Sequence, residues 1–389
     1  MKLNRFYYLS FTVVALFVSS CSKTVDPTAG NQVLVSNTVV GEFTHEQLAK
    51  QVDPQTALFL RNGIKVHRIV YKTTNTDGTT TQASGAILVP VTTDKIAMMS
   101  IQHGTITDET QAPSYHAVGS ESYAAGSLFA SLGYIVVYPD YIGYGASKLL
   151  PHTYEHREGL ATACVDMLRA AREFVKQENI GWDDRLYLAG YSEGGYATMA
   201  TLKKLEETAP TEFNIRAVSC GAGAYDKTAT IKYLLNNKTV GVAEYNKLYL
   251  WVLLTYDRIY KLNRPLNAYF KEPYATQIQS QKQNASIGFS LNTIFTESFL
   301  KSVNDGTDTA LLNAAKDNDI FDWKPKAPLR LYHGDADDLV FYFNSVNAFK
   351  AMQAKGASNV EFVTLKGKNH TSGVSDYLLD TFSYFSGKP

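Results

Sequence analysis

The spacing of apolar residues changes character along this chain, and each change predicts an element. Residues 64–71 and 82–91 are short apolar runs joined by a polar turn at Asp77-Gly78, the pattern of two strands. From residue 96 onward, runs of strand length alternate with helical periodicity. Strands are predicted at 96–101, 134–138, 186–189 and 215–220, with helices at about 123–132, 160–175 and 196–205. The clearest helical stripe is Leu160, Ala163, Cys164, Met167, Leu168, Ala171, Phe174 and Val175. The alternation resumes with strands at 329–332 and 360–365 and helices at 346–354 and 374–385. Near-continuous apolar strands that alternate with helices predict an α/β domain, a mostly parallel central sheet with helices on both faces. Between about 225 and 323 the alternation stops, and a helical insertion is predicted there. One helix of it, 245–262, carries a stripe of Tyr245, Leu248, Tyr249, Val252, Tyr256, Ile259 and Tyr260, with Trp251 and Leu254 off that stripe. Two of its faces are therefore apolar. Asp308 is placed to cap a later helix reaching Lys316, and Thr44-His45-Glu46-Gln47 has the form of a capping box that opens the fold.

Composition adds little inside the domain and much at its start. The 389 residues are 45% apolar and 19% charged, with 37 basic side chains against 37 acidic ones and no basic run. That balance gives no reason to expect nucleic acid as a partner. At the N-terminus, Lys2 and Arg5 precede an apolar run at 6–18, too short to span a bilayer comfortably and typical of an export signal. Val18-Ser19-Ser20-Cys21 resembles a bacterial lipobox. The resemblance implies a signal peptide over 1–20, cleavage before Cys21 and acylation of its sulfur. Ser22 in the next position resembles the outer-membrane sorting pattern of a Gram-negative cell-envelope lipoprotein. Residues 21–41 then read as a polar tether. Cys164 and Cys220 lie on a helix stripe and at a strand end, and are expected to be buried free thiols.

One stretch carries chemistry. Gly190-Tyr191-Ser192-Glu193-Gly194-Gly195 follows an apolar run and precedes a helix. Gly-x-Ser-x-Gly between strand and helix is the setting of a nucleophile elbow. Crowding at the turn calls for the glycines, and a strained serine backbone lifts the Ser192 hydroxyl above the sheet. The Glu193 N–H is left free at a helix N-terminus. A serine hydroxyl needs a base, and the base needs a third group to orient it. Only His333 and His370 follow Ser192. His333 ends a strand, with no carboxylate-bearing loop before it in the required place. His370 lies in the loop 367–373, between the last strand and the last helix. Its acid is expected from the loop after the preceding strand, where Asp335, Asp337 and Asp338 stand.

From about residue 64 to its end the chain resembles the α/β-hydrolase superfamily. Gln102-His103-Gly104-Thr105, Pro139-Asp140-Tyr141-Ile142-Gly143-Tyr144-Gly145, and Asp322-Trp323 before Ala327-Pro328-Leu329 are most similar to the secretory-lipase, lipase A-like group. The resemblance implies an α/β-hydrolase domain over 42–389, with a helical cap at about 225–323 inserted between strands 6 and 7. The pattern His333-Gly334-x-x-Asp337-x-x-Val340 carries the acid onto Asp337. In similar enzymes the residue after His-Gly donates to the oxyanion hole, which implies Thr105 beside Glu193. The function implied is a lipid-anchored serine hydrolase that cleaves small-molecule, lipid or carbohydrate esters through Ser192, Asp337 and His370. No metal or organic cofactor is expected. The acid pattern is shared with prolyl-oligopeptidase-like serine peptidases, which remain an alternative. A non-catalytic surface binding protein on the same fold is the third reading, and retention of every triad element argues against it.

Other expectations follow from single residues. The aromatic excess of helix 245–262 predicts that Trp251 and Tyr249 form a substrate-binding wall. The His103 side chain is expected to brace its loop, and Asp140 to shape a turn near the pocket. His152 and His156, around Tyr154-Glu155, are expected at the surface or at a helix start. The Glu193 side chain has no expected part in the triad.

Overall fold

The computed structural model describes residues 32–388; the signal segment and Cys21 lie outside the described residues. Nine strands form one sheet: β1 (Leu34–Phe43), β2 (Ile64–Thr74), β3 (Thr80–Pro90), β4 (Ile96–Gln102), β5 (Ile135–Pro139), β6 (Trp182–Tyr191), β7 (Asn214–Gly221), β8 (Leu329–Gly334) and β9 (Val360–Leu365). Their spatial order is β1-β2-β3-β5-β4-β6-β7-β8-β9. The pairs from β1 to β5 are antiparallel and the remaining pairs are parallel. The helices are α1 (His45–Ala49), α2 (Pro54–Ala57), α3 (Ser127–Ser131), α4 (Arg157–Gln177), α5 (Glu193–Thr208), α6 (Lys227–Asn236), α7 (Ala243–Ile259), α8 (Tyr274–Gln281), α9 (Glu297–Asn304), α10 (Thr309–Asp317), α11 (Phe343–Ala354) and α12 (Val374–Ser386). A π-helical turn, Ser122–Gly126, leads into α3.

Alternation along the central strands sorts the core into two layers, because successive side chains leave opposite faces. Met98, Val137, Leu186 and Leu188 pack with α4 and α5 on one face. Met99, Ile101, Tyr138 and Ala189 pack with α3 and α12 on the other. The predicted stripe of α4 is buried along its length, and Cys164 and Cys220 are buried free thiols. Thr44 and Gln47 form the predicted capping box of α1.

The expected tether does not run to residue 41, because Leu34–Phe43 is the edge strand β1. Half of its ten residues are apolar, but Val35, Val39 and Val40 are exposed and only Leu34 is buried, so the strand has no continuous apolar face toward the core. Main-chain pairing with β2 holds it instead. The Glu173 carboxylate of α4 also accepts the N–H groups of Gln32, Val33 and Leu34, the last at 2.7 Å. With β1 counted, the helical insertion expected between strands 6 and 7 lies between β7 and β8, where α6 to α10 build a core of their own around Leu250, Phe270, Ile294 and Phe299. The fold is the α/β-hydrolase fold.

Candidate active site

β6 delivers the chain into a turn so tight that Ser192 adopts φ 61° and ψ −126° before α5 begins. The turn demands glycine at two places. A Cβ on Gly190 would lie 2.2 Å from the Gly194 carbonyl oxygen, and one on Gly194 would lie 2.0 Å from that of Gln102. Strain of this kind persists where the surroundings over-determine it. Here the Ser192 N–H is tied to the Gly221 carbonyl at 2.9 Å.

The structure brings Ser192, His370 and Asp337 together. His370 Nε2 lies 2.8 Å from Ser192 Oγ, and its Nδ1 lies 2.7 Å from Asp337 Oδ2. An anionic Asp337 makes Nδ1–H the donor and leaves Nε2 to accept the serine proton. Asp337 Oδ1 accepts the N–H groups of Leu339 and Val340 at 3.0 and 2.9 Å. Burial works to raise its pKa, but hydrogen bonds from His333 and His370 outweigh burial and hold it at about 2. His333, passed over as a base, turns out to support the acid. Its Nε2–H donates to the Val340 carbonyl at 2.7 Å and lies 3.3 Å from Asp337 Oδ2, while its Nδ1 accepts from the Ser345 hydroxyl at 2.7 Å. The two loops are also stitched through the main chain, where Ala336 N–H donates to the Lys368 carbonyl at 3.1 Å. Asp335 points outward, accepting from Gly367 N–H at 2.6 Å and pairing with Lys366. Neither Asp335 nor Asp338 bonds to His370.

On the other side of Ser192 stands the Gly104-Thr105 turn after β4. A Cβ on Gly104 would sit 3.8 Å from that of Ser192. The Glu193 N–H lies in the first turn of α5, where intrahelical acceptors are missing. That N–H and the Thr105 N–H are thus the candidate donors to an oxyanion. The turn is held by side chains from distant parts of the chain. Glu121 accepts the Gly104 N–H at 3.0 Å. Glu121 is exposed to a cavity, but the protein packed around its carboxyl still removes it from bulk water and raises its pKa. The His103 ring braces the turn as expected, with Nδ1 2.6 Å from the Gly104 carbonyl, Nε2 3.2 Å from that of Asp140, and the Tyr141 ring stacked on it. Asp140 links this turn to Ser114 N–H at 2.7 Å and to the Ser84 hydroxyl at 2.5 Å. Thr105 Oγ1 shares a hydrogen bond with the Tyr154 hydroxyl at 3.0 Å.

Two side chains left out of the chemistry meet here. His152 is buried, and its Nε2 lies 2.8 Å from Glu193 Oε1 while Nδ1–H donates to the Ile142 carbonyl at 2.7 Å. One proton is shared between imidazole and carboxyl directly behind the elbow. His152 is therefore not a surface residue. His156 does take a helix-start role, accepting the Gly159 N–H at the N-terminus of α4. Nothing local in the sequence couples His152 to a residue 41 positions away.

From Ser192 a cavity of about 90 Å³ extends among the inserted helices, lined by Leu234, Leu248, Leu253, Leu291 and Phe299. The buried Glu155–Lys227 pair borders it. Tyr249 lies in its wall, with its hydroxyl on the Leu339 carbonyl at 2.7 Å. Trp251, expected in the same wall, faces another way. It stacks on Tyr154 at 4.3 Å between ring centroids and packs against Ile106, Ala112 and Tyr144. Residues two apart on a helix do not share a face.

Comparisons with known proteins place this chain among lipases and esterases. Lipase A of Moesziomyces aphidis is 28% identical over 244 residues, which are 59% of this chain and 49% of that protein. The chain thus spans about half the length of that curated relative. A solved structure from Legionella pneumophila is 26% identical, with a TM-score of 0.81 over 92% of this chain and 98% of that one. The rice cell wall degrading esterase LipA of Xanthomonas oryzae (19% identity, TM-score 0.78, 92% and 100% covered) and Candida antarctica lipase A (17%, 0.65, 93% and 84%) share the fold. Residues 117–377 match the model of the secretory lipase family, from the π-helical turn's approach through the elbow and inserted helices to the His370 loop, and the chain belongs to that family.

Proposed function

We propose that the protein is an exported carboxylic-ester hydrolase with Ser192 as nucleophile, His370 as base and acid, and Asp337 as the group that orients the imidazole and balances its charge. The observation that carries this is the unbroken relay Asp337–His370–Ser192, with contacts of 2.7 and 2.8 Å. His370 Nε2 takes the serine proton as Oγ bonds to the ester carbonyl carbon. The carbonyl oxygen gains the negative charge, which the N–H groups of Thr105 and Glu193 hold. Collapse breaks the bond to the alcohol oxygen, and Nε2 returns the proton to it. Water then attacks the acyl enzyme by the same route and frees the acid. The apolar cavity in the inserted helices suits the acyl chain, with Tyr249 in its wall. The cavity is lined mainly by apolar side chains, with the Glu155 carboxylate already paired to Lys227, and relatives named as a lipase and an esterase favour esters over amides.

Hydrolysis of p-nitrophenyl esters of graded acyl length, set beside dipeptide amides, tests this reading. Ester turnover should fall by at least about a thousandfold in Ser192→Ala. Ester turnover that survives the substitution, or amides cleaved as efficiently as esters, would overturn it. For location we propose removal of residues 1–20, acylation of Cys21, a short tether ending before β1, and residence in the cell envelope, in the outer membrane of a Gram-negative cell. The support is the pattern of charge, apolar run and Val18-Ser19-Ser20-Cys21, together with membership of a secretory family. Cys21→Ser should release the protein from the membrane fraction or block its processing; unchanged fractionation with an uncleaved signal would remove the anchor.

A further inference from the structure

Ser192 opens onto a second cavity, which shares Leu248 and Leu339 with the first but otherwise extends toward α3 and α12, and nothing in the reading above uses it. It measures about 640 Å³ and lies between the sheet, the π-helical turn, α3 and α12. Ile101 and Ala189 line it from the sheet, Ala125 from the π-helical turn, Leu128 from α3, and Leu378 from α12. Protein interiors are close-packed and leave few voids larger than a water molecule. A space of this size falls in the range of small-molecule sites, which are apolar with a few placed polar groups. Here Glu121 is the one carboxyl among the lining residues. Part of the wall is π-helical, a backbone form that recurs at functional sites.

Proton transfer decides what the cavity would hold. An ester attached at Ser192 has two arms, and the arm that leaves must take its proton from His370 Nε2. The leaving oxygen therefore sits on the imidazole side. His370, Thr371 and Val374 border the wide cavity, and none of them borders the smaller one. We infer that the wide cavity is the site for the alcohol half of the ester, and that this half is a bulky, ring-bearing apolar alcohol. The acyl chain occupies the smaller cavity, of about 90 Å³. When the bond between acyl carbon and alcohol oxygen breaks, the proton from His370 goes to that oxygen, and the neutral alcohol is released within the wide cavity. This partition rests on the ester-hydrolase reading.

The test fills the wide cavity from two walls in the full chain, with Ala125→Phe and with Leu378→Trp. The readout is kcat/KM for 2-(1-naphthyl)ethyl butyrate relative to ethyl butyrate, two esters of primary alcohols with the same acyl group. The bulky-to-small ratio should fall about tenfold or more in either folded variant, while the ratio of ethyl octanoate to ethyl butyrate stays put. Calorimetry with free 2-(1-naphthyl)ethanol and Ser192→Ala reports on the site without turnover, and binding should be lost when either filling substitution is added. Equal loss for both alcohols, a shift in acyl-length preference instead, or no binding of the free alcohol would overturn the inference. Failure of the hydrolase reading would look different: no ester of any alcohol turned over, with alcohol binding intact.

Discussion

The two sides of Ser192 are built on different principles. The His370–Asp337 side comes from two loops that follow neighbouring strands, β8 and β9, and are joined by main-chain bonds such as Ala336 N–H to Lys368. The Gly104–Thr105 side is assembled from side chains scattered over the first half of the chain: His103, Glu121, Asp140 and Tyr154. Their carboxyls are displaced in opposite directions. Hydrogen bonds to His333 and His370 overcome burial and hold Asp337 at about 2, whereas desolvation by the surrounding protein raises both Glu121 and Asp140. One side keeps a charge available, and the other holds a backbone turn in shape. Charge demands partners that are close and strong, while shape tolerates many weaker ones from anywhere in the fold.

Substitutions that remove charge on the first side should have the largest effect. Asp337→Asn should lower kcat by about three to four orders of magnitude, since the imidazole loses its orienting anion. Asp335→Asn and Asp338→Asn should each stay within about tenfold, and a reversed order in steady-state kinetics would relocate the acid. Next comes the buried pair behind the elbow. His152→Ala leaves Glu193 without its partner in the interior, which should cost about 3 kcal/mol or more in a denaturant titration. Stability equal to the parent would mean that the pair supports nothing. Trp251→Ala acts on shape, through Tyr154 and then Thr105. It should lower kcat about tenfold for short and long esters alike; a selective rise in KM for long acyl chains would return Trp251 to the pocket wall.

The smallest effect is also the sharpest contrast. The protein around the Glu121 carboxyl raises its pKa, so its ionised form works against folding, though only weakly because the residue is exposed to the cavity it borders. Glu121→Gln, which keeps an acceptor for Gly104 N–H, should therefore raise Tm at pH ~7. That gain should shrink as pH falls toward 4.5, the ordinary value at which the unfolded carboxyl takes up its proton. Asp337 has the opposite sign. Its depressed pKa stabilises the folded state above 3.8, and this contribution is lost as pH falls through about 2. Asp337→Asn should accordingly lower Tm at pH ~7, with a deficit that closes across that acid window. Melting curves of both variants with the same sign and the same pH trend would erase the distinction between the two sides.

The same division explains what could be read from the sequence. The sheet was legible because its inner strands are apolar on both faces and α4 is striped along one. The residues now placed around the Ser192 hydroxyl could be proposed because each stands in a loop at a strand end, in a fixed chain order. The shape side was harder. His152 meets Glu193 only through the fold, and Glu121 reaches Gly104 from 17 residues away by way of an irregular loop. Trp251 was misassigned for a different reason. Counting aromatics on α7 suggested one wall, but helical phase separates Tyr249 from Trp251, and that phase was present in the sequence. β1 offered β-branched residues at Val35, Thr38, Val39 and Val40 but no regular apolar alternation, because main-chain bonding rather than a buried face holds most of it to the sheet.

That edge strand has a mechanical consequence. β1 is a ten-residue strand antiparallel to β2, with Leu34 opposite Tyr71 and Phe43 opposite Ile64. Force applied at residue 32 and directed away from the sheet loads this ladder at one end, so its bonds open one after another, as in a zipper. The Glu173 carboxylate, gripping three successive N–H groups at that end, is the latch that bears the load first. Tension along the N-terminal segment would thus be relieved by peeling a strand at the sheet's margin. The strands that carry Ser192, Asp337 and His370 lie toward the middle and the opposite margin of the sheet and would remain unloaded.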